Sequence, residues 1–343
     1  MTRHLNPLRL VLVLTLWAGL AGAALGQESA YQALLSEVTT DAYPDADRVT
    51  VFDSTDVQVE ESGLSHIVTH TLTKTLTEGG AVSEAVYRFD YDPASNMVEI
   101  RNVRIHRADG SIENIDPATA VDSYAPAHMI YWGGRMKTIG IPGLEPGDAV
   151  EVAYYKKGFM IAYLQQEDDS RYIPPMRGHY YDTILFGEDH PVREKVYTLR
   201  TVKSVPVQFE VYNGDVQTKS TFDDEYNYYV FRKSDIPTYA YEYRSPNPWD
   251  YVPKVVLATV EDWYDKAEWF HHVNEDSIIE IYGRKVKPFE VTPEVKAKAE
   301  EIAADYDNPV DKRKAILHWV AQHIRYSGIS MGKGEGYTLH PGW

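Results

Sequence analysis

No cysteine occurs anywhere in the 343 residues. The fold therefore contains no disulfide, and the chain carries no thiol to act as a nucleophile or as a soft metal ligand. Basic residues are also in deficit, 34 Lys and Arg against 51 Asp and Glu, for a formal charge of −17. A surface of that sign repels nucleic acid and anionic membrane, which excludes nucleic acid as a partner. Long apolar runs are lacking with one exception, from Leu10 to Leu25, and it is shorter than the roughly 20 residues of a membrane span.

That run has the order of a secretory signal peptide: Arg3 and Arg9 in front, then the apolar stretch, then small residues up to Gly26 ahead of polar Gln27. Cleavage after Gly26 is expected, giving an exported protein, periplasmic or extracellular. With no Cys at the site a lipid anchor is excluded, so membrane attachment is expected only through an uncleaved signal or a downstream segment. Losing residues 1–26 removes two arginines and no acid, so the mature charge is near −19.

What is present is a globular balance, 43% hydrophobic and 25% charged, enough to build a packed core without cross-links. From Arg48 to Val260 the pattern has period two, rich in β-branched and aromatic residues and broken by turn signals. Two extended runs flank Glu61-Ser62-Gly63, Asp109-Gly110 marks a hairpin, and Val150, Val152 and Tyr154 share one face of a strand. Many short strands without βαβ alternation predict a mainly β antiparallel sandwich over 27–257. A Pro-rich passage, "YRSPNPWDYVPK", then leads into a helical connector over 258–291, with a short helix opening at Thr259. Over 292–343 the period becomes helical. Thr292-Pro293 and Asn308-Pro309 are helix starts, with apolar stripes through Val295, Ala299, Ile302 and Ala303 and through Ile316, Trp319, Val320 and Ile324. Two helices are too little for a catalytic domain, so this last domain reads as the start of one.

Tyrosine is abundant, 26 residues, with clusters in "DEYNYYVF" and "TYAYEYRSP"; such rings can stack on sugars or peptides, but Tyr is also a favoured strand residue. The glycines of "GKGEG" (Gly332, Gly334, Gly336) lack the Lys-Ser/Thr of a P-loop, since Tyr337 follows. His66 and His70 have the spacing of a helical metal pair, yet on a strand four residues span about 13 Å. His271 and His272 point apart, and His318 and His323 sit about 140° apart around a helix. The acidic groups Asp45/Asp47 and Glu167-Asp168-Asp169 do not match a calcium loop. No catalytic, cofactor-binding or metal-binding residue is assigned, and no cofactor is expected.

The segment "DNPVDKRKAILHWVAQHIRYSGISMGKGEGYTLHPGW" resembles the lead-in to bacterial transglutaminase-like domains: a helix with Trp319-Val320 and Ile324-Arg325-Tyr326, then Gly328-Ile329 and a Gly/Tyr/Pro loop. Upstream, "RADGSIENI", "IPGLEPGDAVEVAYY" and "VPKVVLATVEDWYDKAEWF" resemble the domain of unknown function that precedes such domains in exported bacterial proteins. The resemblance implies an α+β transglutaminase-like domain beginning at 292. In similar proteins the terminal loop runs into a Gly-x-Cys-Lys-Asp segment that supplies a Cys nucleophile, completed by a His and an Asp farther on. All three would lie beyond Trp343, so this chain is expected to be inactive, the N-terminal portion of an enzyme of amide acyl transfer or hydrolysis. The other reading is a non-catalytic extracytoplasmic module that holds a peptide, a glycan or a protein partner.

Overall fold

The structure, a computed structural model, describes residues 30–93, 95–125, 134–159, 180–239, 244–259, 279–281, 284–286 and 291–324. A short helix α1 (30–36) precedes β1 (Arg48–Val59), β2 (Ser65–Thr75) and helix α2 (Glu78–Ser83). Then follow β3 (Val86–Tyr91), β4 (Asn96–His106), β5 (Ile112–Asn114), β6 (Val121–Tyr124), β7 (Arg135–Gly140), β8 (Ala149–Gly158) and β9 (Tyr181–Leu185). Next come β10 (Val192–Val202), β11 (Gln208–Tyr212), β12 (Gln217–Phe222), β13 (Tyr226–Ile236), α3 (Pro248–Tyr251) and β14 (Lys254–Ala258). The last elements are β15 (Ile279–Ile281), β16 (Arg284–Val286), α4 (Pro293–Ala303) and α5 (Pro309–His323).

The mainly β expectation holds. Eight strands form one sheet in the order β12-β13-β10-β1-β2-β8-β4-β5. Two three-stranded sheets, β11-β14-β9 and β3-β7-β6, lie side by side over one face of it, each closing its own core. The first buries Ile184, Val255 and Leu257 against Val57, Leu199 and Phe231. The second buries Phe89 and Ile139 against Val98, Ile105 and Val152. Val150 and Val152 point into this second core with Tyr154 packed beside them, as the alternation predicts. The Asp109-Gly110 turn joins β4 to β5, with Gly110 at a φ of 89° that favours a residue without a β-carbon.

One pairing departs from an all-antiparallel sandwich. Among the named strands of the described residues every pair is antiparallel except β1 with β10. A parallel neighbour needs a crossover of a dozen or more residues, and the excursion through β2 to β9 supplies it; period-two alternation carries no information on strand direction.

The other face of the large sheet is covered in part by α1. Tyr31, Leu35 and Val38 pack on Val49, Val51, Leu72 and Ala149. A register shift between Thr50 and Phe52 turns Val49 and Val51 to this side while Val57 and Val59 face the small sheets, which is what one inserted residue does to a strand of period two. The Lys74 ammonium donates to the Leu35 and Val38 carbonyls at 2.9 Å each, and Arg193 donates to the Leu34 carbonyl at 3.1 Å, so cations hold the C-terminal end of α1.

Both expected helix starts are present. The Thr292 hydroxyl accepts from the Val295 N–H at 3.3 Å, and the Asn308 side chain accepts from the Val310 N–H at 2.8 Å. The two stripes are half-buried at most, and no residue of α4 or α5 is fully buried among the described contacts. The helix expected from Thr259 falls on 260–278, outside the described residues, as do His271 and His272, Glu167-Asp168-Asp169 and the "GKGEG" loop.

Candidate functional site: a polar seam between the small sheets

Strands β1 and β2 run through the middle of the large sheet, between the areas roofed by the two small sheets. On the roofed face the cross-strand pairs from Thr50 to Thr55 are polar, Thr50 with Thr73, Asp53 with Thr71 and Thr55 with Thr69, before Val57 with Ile67 joins the first core. Thr suits a strand by its branching and adds a hydroxyl, so these pairs form bridges, 3.1 Å between the Thr50 and Thr73 oxygens and 3.3 Å between those of Thr55 and Thr69.

Two charged groups close this strip. Lys195 lies opposite Asp53 on β10 and sets its ammonium 2.8 Å from Asp53 and 3.3 Å from Glu188. Burial alone would lower its pKa; the charges of Asp53 and Glu188 outweigh that and hold it well above the lysine range. At the other end Arg48 spans the two halves. Its Nη2 reaches both oxygens of Asp189, at 2.7 and 3.0 Å, and its Nε lies 3.0 Å from Glu84, an ion pair without hydrogen-bond alignment. Glu84 also accepts from the Tyr87 phenol, whose pKa burial and this carboxylate push up. Glu84 belongs to the α2–β3 side and Asp189 to the β9–β10 connection, so Arg48 ties one small sheet's half to the other.

Asp189, His190 and Thr50 are connected in the order of a hydrolytic relay. Asp189 Oδ1 is 2.7 Å from His190 Nδ1, and His190 Nε2 is 2.8 Å from the Thr50 hydroxyl. The exposures are the reverse of a working triad, where the acid is buried and the nucleophile open. Here the Asp189 side chain is 64% exposed and Thr50 only 6%. Thr50 also shares its hydroxyl with Thr73, so no carbonyl can approach it. This relay fixes a histidine in place and does not attack.

Chemically the seam is closed on itself, each charge answered by another. Replacing Lys195 by Ala strands Asp53 on the half-buried floor and should lower stability by about 2–3 kcal/mol, less than a fully buried pair because both groups keep some water. The urea midpoint measures it, and the pair Asp53→Leu with Lys195→Met is expected to recover most of the loss.

A second polar cluster lies on the opposite face, beneath α1. Glu151 on β8, 2% exposed, accepts from His70 Nε2 at 2.9 Å and from His106 Nε2 at 2.8 Å, with the Asn102 amide donating at 3.2 Å. Burial pushes the carboxyl up, but the hydrogen bonds from His106 and His70 and their charge bring it down to about 2. The Tyr31 ring of α1 stands edge-on over both imidazoles, 6.3 and 5.9 Å between centroids. His66 belongs elsewhere, held between Glu60 and Tyr155, so the two histidines excluded as a metal pair do serve separate partners. Among the described residues no group of His, Asp and Glu converges so as to hold a metal ion.

The aromatic passage around Trp249 divides. Tyr239 packs against the first core, while Trp249 is 45% exposed on α3; residues 240–243 lie outside the described ones. The backbone around Trp249 is pinned: its carbonyl accepts from Lys254 Nζ at 2.5 Å, and Asn213 donates to the Val252 carbonyl at 3.1 Å and to that of Trp249 at 3.4 Å. Neither the seam nor the Glu151 cluster was singled out by the sequence. The only signal for the second is that Glu151 alternates with core-facing Val150 and Val152.

Comparison with known proteins bears on the fold. A crystal structure from Parabacteroides distasonis ATCC 8503, described as a candidate protease, superposes with a TM-score of 0.60 at 14% identity, covering 80% of this chain and 50% of that one. The chain thus spans about half the length of that structure, and at such identity the likeness is one of fold. An M1 zinc metallopeptidase of Deinococcus radiodurans matches at 11% identity and a TM-score of 0.30, over 61% of this chain and 42% of that one, too distant to support an argument. No curated protein matches. The model of DUF3857, a domain of unknown function with a solved structure, matches residues 61–240, from β2 through β13, so that β1 of the seam and β14 of one small sheet lie outside the matched range, and the chain belongs to that family.

Proposed function

We propose that this chain is the N-terminal, non-catalytic part of an exported transglutaminase-like protein, a β module followed at 292 by the first helices of a catalytic domain whose nucleophile lies beyond Trp343. The observation that carries this reading is the absence of any cysteine combined with two polar clusters whose groups are committed to one another. Nothing in the described residues is poised to react, while the helices and loop from Asn308 onward resemble the approach to a cysteine at a helix N-terminus, where a thiol is activated. Coverage of half the Parabacteroides structure fits a module within a larger enzyme. The whole protein's reaction is amide acyl transfer, by hydrolysis or by cross-linking to an amine, and the protein is exported, with its signal peptide removed after Gly26.

A binding role for the module itself is favoured by Trp249, an exposed indole on a backbone held by hydrogen bonds, which presents a ring to a peptide, a glycan or a protein partner. The two roles are compatible if the module holds substrate for the catalytic domain.

The test has two arms. The mature product isolated from its native host is expected to be substantially heavier than residues 27–343, and its amidase or transamidase activity to be abolished by a thiol alkylating agent. Residues 27–343 prepared alone are expected to show none. A native product with the mass of 27–343, or alkylation-sensitive activity in that preparation, overturns the proposal.

A further inference from the structure

The only Asn-Gly dipeptide in the sequence, Asn213-Gly214, lies in the connection from β11 of a small sheet to β12 at the edge of the large one. Both residues are exposed and both have positive φ, 62° at Asn213 and 147° at Gly214. The left-handed region tolerates Asn, and the second angle suits glycine. The Asn213 side chain is also a structural tie, since its amide nitrogen donates to the Val252 and Trp249 carbonyls on either side of the α3 turn. Lys254 reaches the same Trp249 carbonyl from β14.

We infer that Asn213 is a site of spontaneous deamidation and that its product releases the Trp249 turn. The Gly214 backbone nitrogen attacks the Asn213 side-chain carbonyl carbon. An N–C bond forms, the bond to Nδ2 breaks, and ammonia leaves with the proton from Gly214. Water then opens the resulting five-membered imide at either carbonyl, giving Asp or its β-linked isomer at 213; no oxidant or cofactor takes part. Glycine at 214 permits the attack because no β-carbon shields the nitrogen. The product carries a carboxylate in place of two N–H donors. It faces two carbonyl oxygens it can only repel, beside a Lys254 ammonium it attracts away from the Trp249 carbonyl. Each change removes a hydrogen bond that holds the exposed indole in place, so the modification acts as a slow and irreversible loosening of that surface.

The experiment incubates the folded protein at mildly alkaline pH and follows the peptide containing 208–217 by mass, with hydrogen exchange read on the peptide containing 247–252. The 213 peptide is expected to gain about 1 Da, and conversion to slow about tenfold or more in Gly214→Ala, where a β-carbon hinders the nitrogen. In the aged protein and in Asn213→Asp alike, the amides of Asp250 and Val252, which bond to Asn247 and Pro248, are expected to exchange about tenfold faster. If the folded chain stays unconverted while the urea-unfolded chain converts, the fold protects Asn213 and the inference fails. It fails equally if conversion leaves exchange at 247–252 unchanged.

Discussion

Glu151→Ala is expected to lose about 3–5 kcal/mol of stability, a large share of what a domain of this kind has. The substitution removes a buried carboxylate that accepts from both imidazoles, and His106, 1% exposed, cannot turn to water for another acceptor. The Nδ1 atom of His106 already has no partner in the described structure, so the loss of Glu151 leaves its whole ring unsatisfied. Helix α1 should loosen with it, because Tyr31 rests on those two rings. Glu151→Gln keeps the shape and one acceptor and should cost less. The pH dependence has a definite direction. A carboxyl near 2 in the fold and near 4.3 when unfolded stabilises fully above the unfolded value, and that share disappears as pH falls through 4 toward 2. The stability gap between wild type and Glu151→Gln should therefore narrow as pH is lowered from 7 to 3; a gap independent of pH would mean that the carboxylate's charge contributes nothing.

Phe231→Ala should cost a similar amount, about 3–5 kcal/mol, by a different cause. Phe231 is fully buried on β13, opposite Tyr197 on β10 and Thr218 on β12, and Phe209 of the small sheet meets its ring edge to face at 4.9 Å. Removing it opens a cavity at the point where the roof sheet rests on the floor sheet, and strands on both sides limit how far the gap can collapse. Phe231→Leu, which retains most of the volume, should lose less than half as much. Guanidinium midpoints with unchanged slopes would report both; a drop in slope for the Ala variant would show that the roof had detached before the floor unfolded.

Much of the fold can be read locally. The turn at Glu61-Ser62-Gly63, the Asp109-Gly110 hairpin, the inward row Val150, Val152 and Tyr154, and the caps Thr292 and Asn308 each follow from a few neighbouring residues. Helix α2 does not, because "EGGAVS" carries two glycines that disfavour a helix. Its reason is distant: a β-carbon on Gly80 would stand 2.0 Å from the Asp47 carbonyl oxygen, so only glycine lets the two backbones pass. The polar clusters are hidden for the same reason. Lys195 meets Asp53, Arg48 meets Glu84 and Asp189, and Glu151 meets His70 and His106 across strands far apart in the chain, and no local period encodes such meetings. Even where alternation puts Glu151 on the face opposite the core, only the docked α1 makes that face dry.

The parallel pair at the centre of the large sheet also sets the order of assembly. β1 can zip to β2 as soon as the hairpin between them is made, but its other edge must wait for β10, whose Thr198 meets Asp56 across 142 residues of sequence. Closing so long a loop before any reward is slow, and the sheet cannot be completed until almost all of the domain has been synthesised. During that wait the bare edge of β1 is a template for the strand of another copy. Asp53 and Asp56 stand along that edge, and before Lys195 and Thr198 arrive to neutralise or bond them, like charges on two such edges oppose their pairing. The same carboxylates thus guard the nascent edge and later anchor the strand that covers it.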